Sequence, residues 1–335
     1  MTEKVLPFTV EDLDKEEASR RVARGLTSAT AMVLVTPGDT MLPKAYRRLA
    51  HAYYTFQFRS DDTLLMAYPK CGNTWTMEIL WALRNVDRLH LADATHIHDR
   101  IYYFDQEMVL PNMKGNGLQS SQRVLQVCSS GVAEGGSVLQ LAAAHRGSPR
   151  LLATHLSFAL LAPTLLDTCK VVYVVRNPKD VCLSLYNFLC LIGNMTGELR
   201  DVADLFMAGD ITFGSYWAHL QQAWQRRGHP NLHIIFFEDL KVDLQGELRR
   251  LSDFLQVDVS DEQLVSVMEH VSLEKMRARE KTHPVFPSAK EGGSFFHGGG
   301  KVGGWAANAP QDLDAKMDKW VREESNKLGI SFRYT

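Results

Sequence analysis

Lys70, His155 and Arg176 each stand just past a short apolar run, and each brings a chemistry that is simple to name. Lysine and arginine hold anions, and a neutral imidazole takes a proton near pH 7. Around Lys70 the chain reads YPKCGNTW. Gly72 lets the backbone approach a ligand closely, and Thr74 adds a hydroxyl donor. The first amides of a helix starting here have no intrahelical acceptor, and the helix dipole adds partial positive charge, so an oxyanion can lie against them. The loop is not a Walker A loop, because GxxxxGK[ST] places Lys after the last Gly and Lys70 precedes Gly72. An ordinary strand–loop–helix corner with a surface lysine stays open beside the anion site. Cys71 is either a reactive thiol next to a cation or a small residue whose backbone does the binding.

The flanking elements decide whether these residues meet. Thr63 to Tyr68 has the length of a buried strand, and good helix formers follow from Thr74. Leu151 to Thr154, Lys170 to Val175 and Leu232 to Phe237 read as further buried strands. Pro178 suits the first position of a helix continuing over Asp180 to Leu191. More helices are expected over Leu42 to Phe56, Leu240 to Leu255 and Asp312 to Leu328. Residues 1–40 read as a lead-in with a charged helix near Val10 to Gly25, and 41–335 as one domain. The segment 86–150 is the least regular; GNGLQSSQ and SSGVAEGGS mark it as loop territory, the usual place for a lid or insert. Apolar strands alternating with helices predict an α/β fold with a central parallel sheet covered on both faces. Ligands of such sheets bind where the strands end, which is where Lys70, His155 and Arg176 fall.

Bulk properties narrow the classes. The 335 residues are 45% hydrophobic and 23% charged, as in an ordinary globular protein. A net charge of −2 gives no general drive toward nucleic acid or an anionic membrane. The start is acidic and unlike a secretory signal, and no apolar run approaches a membrane span. Five cysteines with no CxxC pair argue against a disulfide framework or a zinc knuckle and suggest a reducing, cytoplasmic setting.

Taken in order, YPKCGNTW, ATHL, VVRNPKDVCLSLYNF and FFEDL resemble the cytosolic sulfotransferases, over roughly residues 40–305. LPKAYRR and LLDTCKVVYVVRNPKD are most similar to the invertebrate branch. The resemblance implies a P-loop-like fold of the sulfotransferase and nucleotide-kinase type. It also implies transfer of a sulfuryl group from 3′-phosphoadenosine 5′-phosphosulfate (PAPS) to a small apolar acceptor (a phenol, monoamine, sterol or retinoid), with 3′-phosphoadenosine 5′-phosphate (PAP) as product and no metal. By the same resemblance Lys70, Cys71, Gly72, Asn73 and Thr74 would hold the 5′-phosphosulfate and Trp75 would stack on adenine. Arg176 and Ser184 would bind the 3′-phosphate, and Phe237 would stand where an adenine-side Tyr is usual. Gly298, Gly299, Gly300 and Lys301 would line the same end. His155 would be the general base, with Lys70 and Ser184 completing the catalytic set. Tyr102, Tyr103 and Phe104, with His155, are candidate walls of the acceptor pocket; core packing is the equal alternative for the aromatics.

The chain departs from the pattern in particular places. Ala153 stands where the family has a Lys two residues before the His. HGGGKVGGW puts Gly298 and Gly299 in place of an Arg-Lys pair, so two cationic contacts to the 3′-phosphate are missing, and Lys301 is the nearest replacement. AANAPQDLD lacks the family's dimerisation stretch, so a monomer or weak homodimer is expected. Two other readings therefore stand beside a sulfotransferase: a PAP- or PAPS-binding protein with weak or lost catalysis, and a small-molecule kinase, although the loop lacks a kinase's Walker A order.

Overall fold

The protein is described by a computed structural model covering residues 5–109, 137–286, 293–296 and 299–333. GNGLQSSQ and most of SSGVAEGGS lie outside the described residues, as does Gly298.

The lead-in does more than the sequence suggested. Strands β1 (Thr9–Asp12), β2 (Met32–Thr36) and β3 (Thr40–Pro43) form a small antiparallel sheet, with helix α1 confined to Lys15–Ala23 between the first two. Asp14 caps α1 by accepting from the Glu16 and Glu17 amides. Helix α2 (Tyr46–Tyr54) then leads into the main domain.

The core is a five-stranded parallel sheet in the order β5-β6-β4-β7-β8, from Tyr102–Tyr103, Leu151–Thr154, Thr63–Ala67, Lys170–Val175 and Leu232–Phe236. Every residue of β4 and β6 is buried, which explains their unbroken apolar text. The chain places β6 on one side of β4 and β7 on the other, so the order switches at β4 and opens a crevice beyond its carboxyl end. The Lys70 loop leaves β4 at that point. Strand β5 was hidden from sequence reading, because two residues inside an irregular segment carry no periodicity.

At the opposite, amino end of the sheet, Arg150 clasps Asp62 through Nε at 2.7 Å and Nη2 at 2.5 Å, and also donates to the Ala142 carbonyl. Both side chains are shut off from solvent. The pair precedes β6 and β4 and fixes their relative register, with the Thr63 amide bonded to the Arg150 carbonyl. Removing one partner strands a buried charge, so Asp62→Ala should destabilise the fold by about 3–5 kcal/mol. Urea denaturation checks this; a change within the error of the extrapolation would show the pair to be dispensable.

Candidate active site

The loop between β4 and helix α3 (Asn73–Arg84) is built for close approach. Gly72 caps α3 with a φ of +107°, and a Cβ there would stand 2.6 Å from Phe237 Cδ2. Both facts require glycine. Asn73 and Thr74 are buried in the first turn. Trp75 donates from Nε1 to the Val271 carbonyl at 2.9 Å and meets Phe237 edge-on at 5.5 Å. Cys71 is buried, and burial pushes its thiol up, away from reactivity.

Lys70 is not the surface lysine of an ordinary corner. Its backbone sits at a φ of +71°, and its ammonium lies 3.9 Å from the Phe295 ring centroid and 4.3 Å from that of Phe188. Burial first and the Arg176 charge second lower its pKa to about 7, with Glu280 opposing. Two aromatic faces replace part of the hydration the ammonium gives up.

Arg176 ties two loops together. It donates to the Lys70 carbonyl at 3.2 Å and the Lys301 carbonyl at 3.1 Å, with its guanidinium 4.4 Å over Phe237. Its Nε is buried with no partner among the described residues. Burial depresses its pKa. Asn177 caps the following helix, Pro178–Leu191, with Pro178 in its first turn. Asp180 on that helix accepts from the Gly303 and Trp305 amides at 2.8 and 3.2 Å and so anchors the glycine-rich segment. A Cβ on Gly300 would lie 3.1 Å from Phe237 Cζ. The Lys301 side chain is exposed. Ser184 is half-buried two turns into the helix.

His155 follows β6. Its Nδ1 donates to the Ala67 carbonyl at 2.7 Å, which leaves the lone pair on Nε2. Tyr103 and Phe213 flank the ring edge-on at 5.8 and 5.6 Å. Burial pulls its pKa down to about 4, with the charges of His219 and Lys70 acting in the same sense. His155 is bonded to the last residue of β4, and Lys70 follows that strand three residues on, so the two stand at the same edge of the sheet. Of the proposed acceptor walls, Tyr103 meets His155, whereas Tyr102 faces His145 at 5.6 Å. Phe104 is fully buried against Tyr53, Phe56 and Phe58, and belongs to the core.

The sequence reading missed what positions His155. Asp105, just past β5, accepts from the Thr154 hydroxyl at 2.7 Å and from the His155 amide. On the other side His219 donates from Nε2 to the His155 carbonyl at 3.0 Å and accepts the Tyr173 hydroxyl at Nδ1 at 2.6 Å. The signal for Asp105 was an acid directly after the aromatic run Tyr102-Tyr103-Phe104, where a strand can end.

A parallel sheet with a cation-lined loop at its switch point and an imidazole beside it defines a class of group-transfer fold. The Sulfotransferase domain family model matches residues 60–329, and the chain belongs to the sulfotransferase family. It is 28% identical to luciferin sulfotransferase of Photinus pyralis over 314 residues, covering 90% of this chain and 80% of that protein. It is 27% identical to Sulfotransferase 1E1 of Homo sapiens, covering 83% and 88%. A crystal structure of retinol dehydratase in complex with androsterone and the inactive cofactor PAP superposes with a TM-score of 0.85 at 26% identity, over 97% of this chain and 98% of that one.

Burial raises the Asp105 pKa to about 7, and its two hydrogen bonds oppose the rise. A carboxyl raised on folding contributes stability that is complete below its ordinary range and lost as pH climbs through the folded value. Wild-type stability should therefore fall between about pH 4 and about pH 7 by a component that Asp105→Asn removes. Urea midpoints across that range test this, and parallel profiles for the two proteins would refute it.

Proposed function

We propose that this chain transfers the sulfuryl group of PAPS to a hydroxyl or amine of a small apolar acceptor. The observation that carries the reading is that Lys70 and His155 stand just past the neighbouring strands β4 and β6, with the His155 ring bonded to the carbonyl that ends β4; one is a half-buried cation and the other a neutral base with Nε2 left to accept a proton. The residues present suit the nucleotide. Burial depresses the pKa of Lys70, Arg176 and Lys241, and the Arg176 charge adds to the effect at Lys70 and Lys241. Arg176 also keeps a buried Nε–H without an acceptor. Among the described residues no carboxylate pairs with Lys70 or Arg176, and a phosphorylated nucleotide would supply that partner.

When bound, PAPS supplies the sulfuryl group and a phosphate leaving group. Lys70, Gly72, Asn73 and Thr74 would hold its 5′ end, where α3 offers unpaired amides. Trp75 and Phe237 would face the adenine, and Arg176 and Ser184 the 3′-phosphate. Gly300 and Lys301 would close over that end. His155 takes the acceptor's proton at Nε2, while Asp105 and His219 fix its backbone and the Ala67 carbonyl fixes its tautomer. Lys70 faces the negative charge that develops as the bond to sulfur breaks. Tyr103 and Phe213, beside His155, make an aromatic wall suited to a flat apolar acceptor such as a phenol, sterol or retinoid. Luciferin, androsterone and retinol in the names of the similar proteins point to the same size and polarity.

The runner-up, a nucleotide-binding protein with weakened catalysis, is favoured by Ala153. This fully buried residue stands on the same face of β6 as His155 and provides no second cation. A PAPS turnover assay over phenols, sterols, monoamines and retinoids separates the two. His155→Ala should cut turnover by about 10²–10⁴-fold with PAP affinity retained. Turnover unchanged by that substitution, or PAP bound with no turnover on any acceptor, would favour the runner-up.

The pH dependence has a definite sign. Free enzyme carries neutral His155 above about pH 4, and Lys70 loses its proton near pH 7. An anion held against Lys70 raises that pKa, so PAP affinity should weaken as pH rises through about 7, with proton uptake on binding. Calorimetry in buffers of differing ionisation enthalpy measures the uptake, and Lys70→Met should abolish it. No net proton exchange would remove Lys70 from the anion site.

A further inference from the structure

The 3′-phosphate end of the site lacks the cations that a sulfotransferase would carry at positions 298 and 299. A neighbouring helix stands in the space. Gly299 has a φ of +60°, and a Cβ built on it would lie 3.2 Å from Leu273 Cδ2 and 3.5 Å from Arg277 Nη2. Arg277 belongs to the helix Leu273–Thr282, and its Nη2 donates to the Phe296 carbonyl at 3.2 Å. A guanidinium from another element thus lies in contact with the place where a side chain at 299 would begin.

That helix starts at the nucleotide site. Val271, two residues before it, accepts the Trp75 indole N–H, and Ser272 caps it. Gly300, the next residue after Gly299, rests on Phe237, whose other contacts include the Arg176 guanidinium. Lys301 follows, its carbonyl held by Arg176. Arg277 at Gly299 therefore borders the same short loop that Arg176 holds at Lys301. Glycine leaves no side chain between them, and Arg277 is exposed enough to meet a ligand.

We propose that Arg277 is a phosphate-binding residue that supplies, from the helix after Val271, the charge missing at Gly298 and Gly299, and that it grips the 3′-phosphate of the nucleotide together with Arg176. This rests on the reading of the site as one for PAP and PAPS. The planar fork of a guanidinium suits phosphate oxygens, and each charge-assisted contact is stronger than a neutral one.

Calorimetric titration with PAP and with adenosine 5′-monophosphate, which lacks the 3′-phosphate, tests it. Arg277→Ala should weaken PAP by about tenfold or more and leave adenosine 5′-monophosphate within about twofold, while Arg277→Lys recovers part of the loss. If alanine lowers the melting temperature, Arg277→Gln keeps the stem and a donor to Phe296 and serves in its place. Unchanged PAP affinity, or an equal loss for both nucleotides, would overturn the assignment of Arg277 alone. Failure of the wild-type protein to bind PAP would overturn the proposed function and this inference with it.

Discussion

Positive charge held out of water without a carboxylate in contact is the constraint on which this site depends. Among the described residues neither Lys70 nor Arg176 makes an ion pair; carbonyls and aromatic faces stand in for one. Burying a cation on those terms is costly, and the fold bears the cost only where the sheet order switches and helix amides add more positive potential. Burial is the largest cause of the depressed pKa of each of Lys70, Arg176 and His155.

Much of this was legible in the text of the chain. Strands β4, β6, β7 and β8 are short, apolar and bounded by turn residues, so their positions and the residues that follow them could be read directly. Pro178 and Asn177 announced their helix in the same way. Gly72 could be read as a close-approach residue, although what approaches within the structure is the Phe237 ring rather than a ligand.

What escaped reading is tertiary. Asp105 lies 50 residues from His155, and no local pattern links them. The His219–Tyr173 relay joins a helix to a strand through single polar atoms. Strand β5 exists because β6 offers it an edge, not because Tyr102 and Tyr103 define one. Lys70 could pass for a surface lysine because sequence cannot reveal that Phe188 and Phe295, remote in the chain, stand against its ammonium. Tyr102 and Phe104 looked equivalent to Tyr103, until alternation along a strand turned them elsewhere.

Phe237 touches Gly72, Gly300, Trp75 and Arg176 at once. One ring thus serves as a common floor for the Gly72 loop and the Gly300 loop, so any change in its size or tilt is passed to both at once.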